Sequence, residues 1–257
     1  MLADLYRGAA EDQAARELLE PMSSLEGRAA QASVPLDARA VLAPRDGVHV
    51  IAEIKRKSPS KGALADIPEP VLLAAAYQEG GASAISVLTE GRKFGGSLAD
   101  LAAVAKAVHI PVLRKDFIAT EYQVIEARAS GADWILLIMA GLDDTEVRHL
   151  LGVAKTWGMA ALVETHSHDE VLRAIDCGAE VIGVNARDLT TFELDIELFG
   201  RLVSLIPDGV IRVAESAVAN SQDVARYREQ GAHAVLIGEA LVTGANPAER
   251  VREFVSA

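Results

Sequence analysis

Four stretches of this chain share one shape. Gly81-Ala82-Ser83-Ala84-Ile85-Ser86-Val87-Leu88, Gly131-Ala132-Asp133-Trp134-Ile135-Leu136-Leu137-Ile138, Gly178-Ala179-Glu180-Val181-Ile182-Gly183-Val184 and Gly231-Ala232-His233-Ala234-Val235-Leu236-Ile237 each pass from a Gly-Ala turn into a short apolar run. Such runs, bounded by turn signals, read as buried strands. The interval between them is too long for one strand–helix unit and fits two. The missing strands fall between, at 48–54, 111–114, 160–163 and 210–214. Helical patterns fill the gaps at 71–78, 98–108, 122–129, 145–157, 169–175, 196–205, 222–229 and 248–255. Gly80, Gly131, Gly158, Gly178 and Gly231 supply helix stop signals. Strict alternation predicts a parallel sheet, and eight units in 257 residues predict a closed (β/α)8 TIM barrel. An open doubly wound sheet is the alternative, but no Gly-x-Gly-x-x-Gly follows the first strand. Residues 1–35 read as helices punctuated by Pro21 and Pro35, and 36–47 as a linker. The expected organisation is an N-terminal helical extension over 1–47 and a barrel over 48–257, one domain overall.

In such barrels the site lies at the carboxyl ends of the strands. Strand alternation puts Glu53 and Lys55 on one face, with Ile54 on the other. The third strand ends at Arg114-Lys115-Asp116-Phe117, the fifth at Glu164-Thr165-His166, the sixth at Asn185-Ala186-Arg187-Asp188, the seventh at Glu215-Ser216-Ala217 and the eighth at Gly238-Glu239. Lys55, Lys115, Glu53, Glu164, Glu215 and Asn185 thus converge on one mouth. Any one of them would pass as a structural ion pair or loop cap. Gathered in a partly dry pocket, they shift one another's proton affinities and can form a donor–acceptor set. The loops after strands seven and eight often hold phosphate, which makes Ser216 and the amides of Ala217, Gly238 and Glu239 candidates. Gly238, lacking a Cβ, would admit a phosphate oxygen close to the backbone. Ser60 and Lys61 of the first loop would close the site.

The formal net charge of −12 argues against a nucleic-acid or membrane-surface binder. An anionic ligand must therefore meet a local cluster of positive groups. One cysteine, Cys177, leaves no disulfide framework or thiolate metal site. No signal-peptide pattern or membrane-length apolar run is present, so the expected setting is the cytoplasm. His166 and His168, beside Glu164, invite a metal reading, but no further His or Cys cluster completes a site. Trp134 and Trp157 read as core. The loop from Glu90 to Gly96 reads as a charged lid or a solvated loop.

At these residues the chain resembles the indole-3-glycerol-phosphate synthase family. The matching stretches are Ile51-Ala52-Glu53-Ile54-Lys55-Arg56-Lys57-Ser58-Pro59-Ser60-Lys61-Gly62, Ser86-Val87-Leu88-Thr89-Glu90, Phe94-Gly95-Gly96-Ser97, Leu113-Arg114-Lys115-Asp116-Phe117-Ile118, Leu162-Val163-Glu164-Thr165-His166, Gly183-Val184-Asn185-Ala186-Arg187-Asp188-Leu189 and Ala214-Glu215-Ser216. The resemblance implies ring closure, decarboxylation and dehydration of 1-(2-carboxyphenylamino)-1-deoxyribulose 5-phosphate, with no cofactor and no metal. It implies an anionic sugar phosphate carrying an anthranilate group as partner, no nucleic acid, no membrane, and a monomer. By resemblance Lys115 is the general acid at the ketone, and Lys55 holds the departing carboxylate. Glu164 serves the dehydration, Glu53 and Asn185 orient hydroxyls, and Glu215 positions the lysines. Phe117 packs on the aromatic ring, while Ser58, Ser60, Arg187 and Ser216 supply the remaining contacts. One position departs: the family usually has glycine where this chain has Ala217. A positive φ there would strain alanine by about 1 kcal/mol.

A Schiff-base aldolase using Lys115 or Lys55 is the competing enzyme reading. An isomerase of the same pathway would need a cysteine at a strand end, and Cys177 precedes a strand instead. A phosphate-binding module without activity is the non-enzymatic reading.

Overall fold

Consecutive strand residues face opposite ways, and here both faces are buried. The strands are β1 (His49–Ile54), β2 (Ala84–Leu88), β3 (Val112–Lys115), β4 (Trp134–Ile138), β5 (Ala160–Thr165), β6 (Val181–Asn185), β7 (Ile211–Glu215) and β8 (Ala234–Ile237). They pair in parallel and in chain order, and β8 returns to β1 to close the barrel. The computed structural model describes every residue except 60, 189, 190, 244 and 245.

Two cores follow from the alternation. Val50, Val87, Ile135, Val163 and Val235 face outward, under the helices. Ile51, Leu113, Trp134, Leu162, Val213 and Leu236 fill the interior. Two residues further along, with the same parity, stand Glu53, Lys115, Glu164, Glu215 and Gly238. The same periodicity that packs the barrel floor therefore builds a charged layer above it.

The helices differ from expectation mainly at their ends. The N-terminal segment forms α1 (Leu2–Leu19) and α2 (Met22–Gln31), broken at Pro21. The expected linker contains a short helix, Ala38–Val41, because the Asp37 side chain accepts from the amides of Arg39 and Ala40. The helix expected over 196–205 is shorter, Leu198–Leu202, and tightens into a 3-10 turn. Gly80 is not the left-handed stop; Gly81 is, at φ +95°. Gly80 is small for another reason: a Cβ there would lie 2.5 Å from the Ala248 carbonyl oxygen. Among the described residues, no helix is long and apolar enough to cross a membrane.

The first helix packs across the barrel mouth. Tyr6 meets Phe117 edge-on, with ring centroids 5.7 Å apart. It lies so close to Gly141 that a Cβ there would be 2.0 Å from the tyrosine ring. Arg16 binds Glu126 through two hydrogen bonds of 2.5 and 2.9 Å. Glu126 in turn pairs at 3.0 Å with Arg114, the residue before Lys115. Arg114 faces out of the barrel and is fully buried. It also pairs with Asp116 at 3.0 Å and donates to Thr89 Oγ1 at 3.2 Å and to the Gln123 carbonyl at 2.8 Å. The strand end bearing Lys115 is thus held from behind.

The loop after β2 is tied down. Both Glu90 carboxylate oxygens accept from backbone amides, those of Arg92, Lys93 and Phe94. Arg92 reaches over to Glu11 and Asp12 on α1. The resulting tie joins α1 to the loop that carries Phe94.

Candidate active site

The charged layer is dry. Glu53, Glu164 and Glu215 are 2%, 1% and 1% exposed, and carboxylates survive such burial only when paired or protonated. Glu53 lies between two lysines: Oε1 is 2.5 Å from Lys55 Nζ, and Oε2 is 3.9 Å from Lys115 Nζ. Burial alone would raise its proton affinity, but Lys55 and Lys115 outweigh that and keep it ionised. Lys115 Nζ also sits 3.7 Å from Glu164 Oε2. Burial disfavours its ammonium, yet Glu164, Glu53 and Glu215 together hold it protonated well above the usual lysine range. Glu164 is likewise held ionised, burial being overcome by Lys115 and His166. Glu215 goes the other way. Burial and the neighbouring Glu164 raise its proton affinity well above the carboxylate range, which favours its neutral form. The surroundings thereby push the proton affinities of two adjacent carboxyls apart.

Space for these groups comes from two interior glycines. A Cβ on Gly183 would lie 2.0 Å from Glu215 Oε1, and one on Gly238 would lie 2.3 Å from Glu53 Oε1. The sequence reading assigned the small size of Gly238 to a phosphate oxygen. In the structure the missing Cβ makes room for Glu53 and Lys55, because position 238 shares the inward parity of that layer, and Gly238 also lines the larger cavity. Gly183→Ala is expected to destabilise the fold by about 1–3 kcal/mol through overpacking and to lower turnover by displacing Glu215. Thermal melting and steady-state rates on one preparation would test both. An unchanged melting curve would mean that Glu215 has room to move aside.

Above the layer the mouth divides into two lobes. The larger cavity, about 510 Å³, is lined by Lys55, Lys61, Arg187, Ser216–Ala219, Gly238 and Arg250 among others. The smaller, about 120 Å³, is lined by Phe94, Phe117, Leu136, Ile138, Phe192 and Ser58. Glu53, Lys55, Lys115, Asn185, Arg187, Ser216 and Glu239 border both. A polar chamber and an apolar slot therefore meet over the lysine–carboxylate layer. The only described non-glycine residues with positive φ are Phe192 (+64°), Ser216 (+68°) and Ala217 (+54°), and all three line these lobes. Such strain gathers at ligand sites, and at Ala217 it is the strain expected of alanine in a glycine position.

The remaining expected residues fall into place individually. Asn185 Oδ1 accepts from Ser216 Oγ at 2.8 Å and from the Arg187 amide at 3.0 Å. Arg187 borders the cavity but gives one guanidinium hydrogen bond to the Phe192 carbonyl, 3.1 Å away. Glu239 pairs with Lys61 across the rim and opens a short helix, Glu239–Val242. Ser58 ends the first strand of a small hairpin, Lys57–Ser58 with Gly62–Ala63; Ser60 lies outside the described residues. Cys177 caps the helix after β5, at the opposite end of the barrel. The sequence reading missed His166. It weighed this residue only as a metal ligand, whereas the structure pairs it with Glu164 and Glu170. Among the described residues, no group of His, Cys, Asp and Glu side chains is arranged to hold a metal.

Fold and mouth together define a (β/α)8 barrel enzyme that sets a protonated lysine against ionised glutamates. The chain belongs to the indole-3-glycerol phosphate synthase family, whose model matches residues 2–254. The indole-3-glycerol phosphate synthase of Leifsonia xyli subsp. xyli is 58% identical over 254 residues, covering 99% of this chain and 97% of that one. That of a Parafrankia species is 53% identical, covering 100% and 95%. Among solved structures, 3-hexulose-6-phosphate synthase from Salmonella typhimurium superposes with a TM-score of 0.65 at 16% identity, covering 81% of this chain and 97% of that one. Thiamine phosphate pyrophosphorylase from Pyrococcus furiosus gives 0.62 at 14% identity, covering 81% and 94%. At such identities the likeness concerns the fold alone.

Proposed function

We propose that this chain closes an indole ring, converting 1-(2-carboxyphenylamino)-1-deoxyribulose 5-phosphate to indole-3-glycerol phosphate, carbon dioxide and water. The observation that carries the reading is the meeting of an apolar slot and a polar chamber over Lys115, Glu53 and Glu164. A molecule that is aryl at one end and phosphorylated at the other matches both lobes. The aryl ring lies in the slot against Phe117, and the phosphate lies in the chamber near Ser216.

The charge states suggest a division of labour. As the ring carbon bearing the carboxylate bonds to the ketone carbon, the Lys115 ammonium delivers a proton to the ketone oxygen, making a hydroxyl. Lys55 holds the carboxylate until the carbon–carbon bond to it breaks. Carbon dioxide leaves, and the bonding pair restores the aromatic ring. Dehydration follows: Lys55 protonates the departing hydroxyl, and ionised Glu164 takes a proton from the adjacent ring methylene. Glu53 orients both ammonium groups, and Asn185 with Ser216 orients the substrate hydroxyls. Ser58, Arg187, Ala217, Gly238 and Glu239 complete the surroundings of the substrate. Lys55, Lys115, Glu53, Glu164, Asn185 and Ser216 meet within one barrel, which is compatible with a monomer. A cytoplasmic setting fits the free thiol of Cys177.

Turnover of this substrate, followed by indole fluorescence with chelator present, tests the reading. Indole-3-glycerol phosphate should accumulate at the same rate with and without chelator. A folded protein that binds the compound but releases no product would sink the assignment. Borohydride trapping of a lysine adduct would then favour the aldolase alternative.

A further inference from the structure

His166 follows β5 directly and takes no part in the steps above. Its ring lies between two carboxylates. Nε2 is 3.2 Å from Glu164 Oε1, and Nδ1 is 3.3 Å from Glu170 Oε2. Glu170 is itself fixed. Its carboxylate accepts from the His166 amide at 2.8 Å, and its own amide donates to Ser167 Oγ, the cap of helix His168–Asp176. Nδ1 is within hydrogen-bond reach of Glu170, while Nε2 lies at ion-pair distance from Glu164 without hydrogen-bond alignment. A carboxylate facing each nitrogen favours the ring with both nitrogens protonated. The second oxygen of Glu164, meanwhile, faces Lys115. Two cations therefore hold the two oxygens of one carboxylate.

We propose that His166 is a positioning residue that acts as an imidazolium, fixing the plane of the Glu164 carboxylate and favouring its ionised state. The proposal rests on Glu164 being the base of the dehydration. The groups that bear on this set come from every side: Lys115 from β3, Glu215 from β7, Glu170 from the following helix and the buried Tyr6 hydroxyl from α1. Burial works against the charged ring, but Glu164 and Glu170 raise its pKa to about 10. The imidazolium is therefore present across the neutral range and is lost only as the pH rises through that value. Without it, burial and Lys115 alone would set the charge of Glu164.

Nitrogen NMR of the 15N-histidine-labelled full chain at pH 8 reads the ring directly. Both His166 nitrogens should be protonated, and a neutral tautomer would overturn the proposal. His166→Asn should lower kcat about tenfold with KM within about twofold, and move the acid limb of kcat upward by about one pH unit as Glu164 takes a proton more readily. An unchanged kcat and acid limb, or a loss of thermal stability alone, would overturn it. Should that variant not fold, Glu170→Gln decides: kcat should fall on the alkaline side at least about one pH unit earlier than in the parent, and an unmoved alkaline limb counts against the proposal. A parent enzyme that makes no indole-3-glycerol phosphate is a separate result, and it removes the assigned reaction itself.

Discussion

Replacing Lys115 by alanine is expected to lower turnover by at least about a hundredfold, in the upper part of what a positioned acid contributes. The fold should survive, because the side chain is reached from the cavity and the strand is held by Arg114 on its other face. The loss has two sources. The ketone oxygen loses its proton donor, and Glu53 and Glu164 lose a shared cation, so Glu164 becomes a weaker acid and spends more time protonated. Lys115→Arg separates the two. Arginine restores the positive charge, but its larger planar guanidinium cannot present a proton from the position of the compact ammonium, so substrate affinity should recover while kcat stays low. Steady-state kinetics with circular dichroism on each variant is the measurement. A near-parental kcat in Lys115→Ala would move the acid role to Lys55.

The largest effect on stability is expected at Arg114. Arg114→Leu leaves Asp116 and Glu126 buried without their main partner, a change that typically costs about 3–5 kcal/mol. At this chain length that corresponds to a fall in melting temperature of about 10 °C. Thr89 and Arg16 still serve the two carboxylates, which should keep the loss from exceeding that range. The exposed pair of Arg39 with Glu180 provides the contrast: Arg39→Ala should change stability by less than about 0.5 kcal/mol. Thermal and denaturant unfolding would compare them. Equal effects at the two sites would show that burial of the Arg114 network is not what stabilises β3.

The barrel was legible because one physical rule repeats. Gly-Ala turns lead into apolar runs, and the inward parity of Ile51, Leu113, Leu162 and Val213 continues into Glu53, Lys115, Glu164 and Glu215. Reading parity along a strand thus locates both the floor and the charged layer. What stayed hidden depends on contacts between distant elements. The pairing of His166 with Glu170 requires the first turn of the following helix to be in place. The hairpin of Lys57–Ser58 with Gly62–Ala63 has two residues per strand, too few for any periodicity. The length of the 198–202 helix is set by where the Asp195 loop lets it begin. For Gly238, its smallness was visible, but the neighbour it accommodates was not, because Glu53 arrives from the far end of the chain.

The two interior glycines constrain how a barrel like this one changes over generations. At positions 183 and 238 even a methyl group collides with a carboxylate that works at the mouth. Neither position can therefore gain a side chain while Glu215 and Glu53 remain as they are. A lineage drifting toward another activity accommodates a methyl group at either position only by pushing the acid out of place, so the glycine varies most freely once the acid has been shortened or lost. The order of substitutions is biased, and the reverse order displaces the carboxylate first.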